Sequence, residues 1–502
     1  MKNVCMKNLT NRSVLFIVTV TLFLGLLSCQ KSGDSKPAAT DTIPIVTPPA
    51  FDINSISDTY DNLAPFINYP KWGSYNVHDP SIKKFGDTYY CYSTDVGFGT
   101  SVPPGIQVRK SKDLVEWTYV GWVFNNTLPG MGSQFITSSG GTPNNALWAP
   151  YVLKINNEYR LYYALSADKP RLSVIGLATA ASPEGPWTEK GLVVVSKNDN
   201  SIQTNAIDPT VVVTETGDQY FYYGSGWDGI YMLKLNPATG LSASNNDKGI
   251  RIANRGFTNG AYNGNIEAAE IIYNKDFKKY YLFISYDWLQ TKYNVRVCKS
   301  DNPQGPFYDF KGANANADID HGPMILAPYQ FNGHGGWQGT GHCGVFDDGN
   351  NQYFMAHQGR PAVNSYFMDL HIRKIFWTID GWPVVSPERY AWEDNSLVVK
   401  DSIPGTWESI ILNYHIVPGY GTEQVSPDMQ TSVSLSLAAD GTLNGDVASK
   451  WIYTAPWLQL NWSNGTVDKV FVQKGRDWEN KKATLIFSGL DNIGTSIWGK
   501  KK

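Results

Sequence analysis

The sequence predicts an all-β protein: a five-bladed β-propeller followed by a smaller all-β sandwich or barrel. Three observations predict it. A five-fold repeat runs through residues 51–385, the strand pattern changes character over 386–502, and helix signals are nearly absent beyond the first 50 residues. Repeats of several short strands at this spacing suit propeller blades.

Each repeat has a polar turn followed by a tyrosine-led strand. The copies are Asp87-Thr88-Tyr89-Tyr90, Asn157-Glu158-Tyr159-Arg160, Asp218-Gln219-Tyr220-Phe221, Lys278-Lys279-Tyr280-Tyr281 and Asn351-Gln352-Tyr353-Phe354. About ten to thirteen residues before each tyrosine stands a short segment with chemically capable side chains. These are His78-Asp79-Pro80, Trp148-Ala149-Pro150, Ile207-Asp208-Pro209, Ile266-Glu267-Ala268 and Gly341-His342-Cys343. A second repeat supports the first: Ser182-Pro183-Glu184-Gly185-Pro186-Trp187 matches Asn302-Pro303-Gln304-Gly305-Pro306-Phe307, as turns between outer strands. In a propeller the first-named segments become the innermost strands, so distant residues can meet at one axis. The propeller should close near Gly381-Trp382-Pro383. Beyond it, Thr431-Ser432-Val433-Ser434-Leu435-Ser436-Leu437 alternates with period two, and Asp440-Gly441 signals a hairpin.

The formal net charge is −3, and no basic stripe marks a nucleic-acid surface. Aromatic residues make up 13%, which suits β-strands and also suits stacking on the apolar faces of sugar rings. The N-terminus reads as a secretory signal over residues 1–28, with Lys2, Lys7 and Arg12 before an apolar run from Ser13 to Leu27. Leu26-Leu27-Ser28-Cys29 is similar to a bacterial lipobox, which implies a lipid on Cys29 and a place in the cell envelope, at the outer membrane or cell surface. Residues 29–50 form a Ser/Pro/Thr-rich tether. Cys91, Cys298 and Cys343 show no metal-ligand spacing.

Asp79, Asp208 and Glu267 recur at matching places in their repeats. Beside apolar strands such charges are costly unless they serve a purpose. Inverting cleavage of a glycosidic bond needs a carboxylic acid to protonate the leaving oxygen and a carboxylate to activate water. A third carboxylate can raise the pKa of the acid by repulsion. The alternative is three structural turn formers.

Several segments resemble the motifs of glycoside hydrolase family 43. They are His78-Asp79-Pro80-Ser81-Ile82, Leu147-Trp148-Ala149-Pro150, Asn205-Ala206-Ile207-Asp208-Pro209, Gly224-Ser225-Gly226-Trp227-Asp228-Gly229-Ile230, Ile266-Glu267-Ala268 and Gly339-Thr340-Gly341-His342. Within that family the likeness is to endo-α-1,5-L-arabinanases extended by a C-terminal β domain. The resemblance implies Asp79 as general base, Glu267 as general acid and Asp208 as the residue that tunes and orients the acid. It implies that His342 binds an axial metal ion, calcium, partly through water, and that the substrate is arabinan or an arabino-oligosaccharide. His78, Trp148, Asn205, Ser225 and Trp227 become candidate sugar contacts, with Trp72 a further one. Two departures stand out: Tyr151 where the family often has an acid, and Glu267-Ala268-Ala269 where it often has Glu-Ala-Pro.

Carboxylates alone do not separate endo action from an exo-acting arabinofuranosidase or β-xylosidase on the same scaffold. A non-catalytic, lipid-anchored glycan-binding protein is the reading from a different class. Trp451, Trp457 and Trp462 fit either sugar binding or bracing by the second domain.

Overall fold

The computed structural model describes residues 50–199, 204–258, 261–262, 264–413 and 429–502. Cys29, with nearly all of the signal and tether expected before residue 50, lies outside the described residues. The chain is all-β, with a propeller followed by a closed barrel. Repeat 1 folds into the antiparallel strands Ser81–Phe85, Thr88–Ser93, Gln107–Ser111 and Thr118–Trp122. Repeats 2, 3 and 4 likewise make four-stranded sheets, whose first strands are Trp148–Ile155, Thr210–Val213 and Ile266–Asn274. The repeat tyrosines take one structural position: Tyr89, Tyr159, Tyr220, Tyr280 and Tyr353 are each 7–9% exposed.

The fifth repeat departs from the expectation of five equivalent blades. Its strands Gly344–Asp347, Tyr353–Pro361, Asp369–Trp377 and Pro383–Val385 form an antiparallel meander. They belong to a seven-stranded sheet, because Trp337–Gln338 pairs with the far end of Tyr353–Pro361 and leads on to Tyr329–Gln330 and Gln430–Thr431. Four blades are therefore separate sheets, and the fifth repeat is merged into a larger one. Its first strand still abuts the first repeat: a Cβ on Gly344 would lie 2.3 Å from the Pro80 carbonyl oxygen, so only glycine fits.

Blade strands flanked by neighbours on both faces read as continuous apolar runs. Thr88–Ser93 is buried throughout, as is Ser173–Ala180. Tyrosines latch blade to blade: the Tyr92 hydroxyl donates to the Pro183 carbonyl at 2.5 Å, and Tyr222 does the same to Pro303. Both acceptors sit in the repeated Pro/Gly turns.

The second domain resolves the choice between sandwich and barrel. Eight strands close, with Gly405–Leu412 pairing both Val433–Leu437 and the final strand Ser496–Lys501. Alternation puts one face inward. Asp446–Thr454, for example, buries Ser449, Trp451 and Tyr453 and exposes the residues between them. Trp407, Trp451, Leu458, Val470 and Phe487 fill the interior, which makes it a packed core. Ile410, Leu412, Leu490 and Trp498 share one apolar cluster with Trp382, Val384 and Val385 of the propeller, and Phe51–Lys502 form one compact unit.

Candidate active site

The five inner strands are entered through one backbone device. Asp79, Ala149, Asp208, Ala268 and His342 all have positive φ, between 39° and 59°. Left-handed geometry costs a non-glycine residue ~1–2 kcal/mol, and Asp bears it better than most. Such strain clusters where structure over-determines it. The device also corrects the sequence register. Glu267 is not equivalent to Asp79 and Asp208; Ala268 is. The fourth repeat starts its strand before the left-handed residue, and a bulge between Glu267 and Glu270 re-aims the glutamate.

Asp79 is 7% exposed and held from three sides. Its Oδ1 lies 2.7 Å from His78 Nδ1 and 2.9 Å from His342 Nδ1. Thr94 Oγ1 donates to Oδ2 at 2.6 Å. Burial alone would raise the Asp79 pKa, but His342 and His78 reverse that and hold it well below the usual carboxylate range. Asp208 Oδ2 accepts from the Ala268 backbone N–H at 3.0 Å, next to Glu267. Burial, reinforced by Glu267 and Asp79 against the pull of His342, lifts Asp208 to about 7. Glu267 is gripped at both oxygens: Tyr293 donates to Oε1 at 2.8 Å and Ser225 to Oε2 at 2.5 Å.

Burial disfavours charge on His342, yet Asp79 and Asp208 outweigh it and lift its pKa to about 9. Among the described residues His342 is not part of any close group of three ligating side chains. With Nδ1 taken up by Asp79, a cation here would need the neutral ring and would take its Nε2, with water as the other ligands.

The remaining predicted residues divide. Trp227 is 37% exposed, in a left-handed turn, with the Arg171 guanidinium 5.7 Å from its ring. Trp148 is half-buried against the core of the second and third repeats. Asn205 bridges Ser225, whose carbonyl accepts the Asn205 N–H at 3.3 Å. Ser225 is buried and committed to Glu267, and His78 is committed to Asp79, so both serve the acids and neither presents an open face. Trp72 is wholly buried, with its indole N–H on the Leu63 carbonyl, and drops out as a sugar contact.

Thr94, Tyr293, Ser285 and Gln358 escaped the sequence reading. Three of them obey a rule the repeat contains. Thr94, Ala164, Ser225, Ser285 and Gln358 each stand five residues after their repeat tyrosine. At four of the five positions the side chain serves the next inner strand around the ring. Thr94 accepts from Ala149 N, Ser225 donates to Glu267, Ser285 accepts from His342 N and Gln358 accepts from Asp79 N.

Two to four residues further along the inner strands lies a second buried layer. Thr210 donates to Glu270, and Lys83 Nζ sits 4.8 Å over the Tyr151 ring. Tyr151 therefore faces this layer, and its departure from the family pattern leaves the acids untouched. Beyond it, at the end of the axis away from the acids, opens a cavity of about 790 Å³ lined by Lys84, Val213, Tyr273 and Asp347 among others.

The model for glycosyl hydrolases family 43 matches residues 73–383, and the model for a C-terminal lipocalin-like domain matches residues 387–499. An extracellular endo-α-(1→5)-L-arabinanase of Thermotoga petrophila is 28% identical over 462 residues, covering 84% of this chain and 93% of that protein. An extracellular exo-α-(1→5)-L-arabinofuranosidase of Cellvibrio japonicus is 30% identical over 327 residues, covering 62% of this chain and 86% of that protein. The crystal structure of an endo-1,5-α-L-arabinanase from Thermotoga petrophila superposes with a TM-score of 0.72 at 27% identity, over 85% of this chain and 98% of that one.

Proposed function

The chain belongs to glycosyl hydrolases family 43, and from that membership we propose that it hydrolyses internal α-1,5-L-arabinofuranosidic bonds of arabinan with inversion. One observation carries the reading: three carboxyl groups converge at one end of the axis, with Asp79 held ionised and Asp208 pushed up to about 7. Asp79 is held ionised by two imidazoles and a hydroxyl, as a general base requires. It takes a proton from water as the water oxygen attacks the anomeric carbon. Glu267 gives its proton to the leaving oxygen as the glycosidic C–O bond breaks. Asp208 tunes and orients the acid, anchoring the adjoining peptide through the Ala268 N–H. The exposed Trp227 ring offers a sugar platform on the same face.

Endo action is supported by the likeness to endo-arabinanases that spans propeller and barrel together. Exo action on the same chemistry is the second reading, favoured by the exo-acting relative of the propeller. The proposal includes calcium, held by His342 and water; when bound it would supply positive charge beside the base. It also includes a lipid on Cys29 that places the enzyme at the cell envelope. Product analysis on linear arabinan tests the activity. Early short oligosaccharides are expected. Release of arabinose alone would move the assignment to exo, and binding without products would move it to a glycan-binding protein.

A further inference from the structure

Tyr293 is 1% exposed and heads the strand Asn294–Ser300 in the fourth repeat. Its hydroxyl donates to Glu267 Oε1 at 2.8 Å. A buried hydroxyl fixed on a carboxylate constrains its direction. The ring is itself held in place. Thr340 Oγ1 donates to the Tyr293 carbonyl at 3.3 Å. Gly341 lies flat against the ring, so that a Cβ there would come within 2.6 Å of two ring carbons. Gly341 directly precedes His342, so the loop that carries the axial histidine also wedges the tyrosine against the glutamate.

We propose that Tyr293 is a positioning residue that aims the Glu267 carboxyl at the leaving oxygen, and that Gly341 is glycine because the wedge leaves no room for a side chain. The inference rests on the reading of Glu267 as the general acid. Ser225 holds the other oxygen at 2.5 Å, so each donor restrains one oxygen and together they fix the plane of the carboxyl. The charged and titratable groups facing Glu267 are Asp208, Asp79, His342 and Tyr293. Tyr293 alone among them donates to it.

The test is Tyr293→Phe in the full chain, with kcat and KM on linear arabino-oligosaccharides and on an aryl arabino-oligosaccharide whose phenol leaves with little need of a proton. On the linear substrate we expect KM within about two-fold of the parent and kcat about ten-fold lower, as misaimed groups cost. On the aryl substrate the loss should shrink to about two-fold, because an aimed proton donor matters less there. A merely structural role would lower both rates alike. Gly341→Ala keeps the hydroxyl but displaces it, and should lower kcat with the same dependence on the leaving group. That variant also decides the matter should Tyr293→Phe fold poorly. A folded Tyr293→Phe, or an active Gly341→Ala, with parental rates or with equal losses on the two substrates would overturn the proposal. An inactive parent would instead overturn the reading of the site.

Discussion

Thr94→Val is the most informative single change in this site. Valine keeps the shape and removes the hydroxyl, which has two partners: it donates to Asp79 Oδ2 at 2.6 Å and accepts from the Ala149 N–H at 2.8 Å. A hydrogen bond to a charged group contributes ~1.5–3 kcal/mol, and an orphaned buried N–H costs ~1–3 kcal/mol. Ala149 is 2% exposed, so water does not compensate. The sum is ~2.5–6 kcal/mol, or roughly 3–6 °C in the melting temperature of a compact unit the size of Phe51–Lys502 at ~2.1 cal/mol/K of unfolding entropy per residue. Asp79 also loses a donor to its ionised form, so its pKa rises from its depressed position towards the usual range. The sign follows from linkage. A depressed carboxylate contributes stability above its unfolded pKa and loses it as pH falls through the folded pKa. The variant should therefore differ most from the parent at neutral pH and converge with it in acid. Thr94→Ser, which keeps both bonds, is the control. Thermal melts at pH 7 and pH 3 read the effect, alongside kcat. A Thr94→Val protein that melts within 1–2 °C of the Thr94→Ser protein at pH 7, about the noise of such small changes, would refute the double role.

Glu267→Gln and Asp79→Asn should each lower kcat by about 10²-fold or more with the melting temperature nearly kept, since each removes a proton-transfer group; near-parental rates in either would sink the acid–base assignment. Asp208→Asn should change the pH dependence of stability in the opposite sense to Thr94→Val. A buried carboxyl raised to about 7 retains its proton on folding, so stability drains away between pH 4 and 7, and the asparagine protein should gain on the parent across that window in parallel melts. Chelation should lower the melting temperature or the rate of the parent and leave His342→Ala unmoved; an identical response of both would remove His342 from the metal site.

Much of the fold was legible because tyrosine marks one position in every repeat, and burial made that position uniform. The acids were legible as residue types but misaligned by one. Register was judged by chemistry, whereas the backbone sets it by the left-handed residue, and alanine at 149 and 268 gives no sign of positive φ. The merging of the fifth repeat rests on strands two residues long, Tyr329–Gln330 and Trp337–Gln338, too short to leave a periodic pattern. Barrel closure depends on Gly405–Leu412 meeting Ser496–Lys501, a pairing between the first and last strands of the domain that alternation alone cannot announce. Trp72 looked like a platform because an aromatic before an inner strand is ambiguous until its indole is found bonded inside.

The ring of side chains five residues beyond each tyrosine has a consequence for biogenesis. Four of the five serve the following repeat, and the last of them, Gln358, reaches back to the peptide of Asp79 in the first. No repeat owns a finished site. A nascent chain could have its early blades formed and still lack an aligned base until the final one docks. Catalytic competence would then be the last property to appear during synthesis, and a turnover assay would report completion of the circle more faithfully than any spectroscopic measure of strand content.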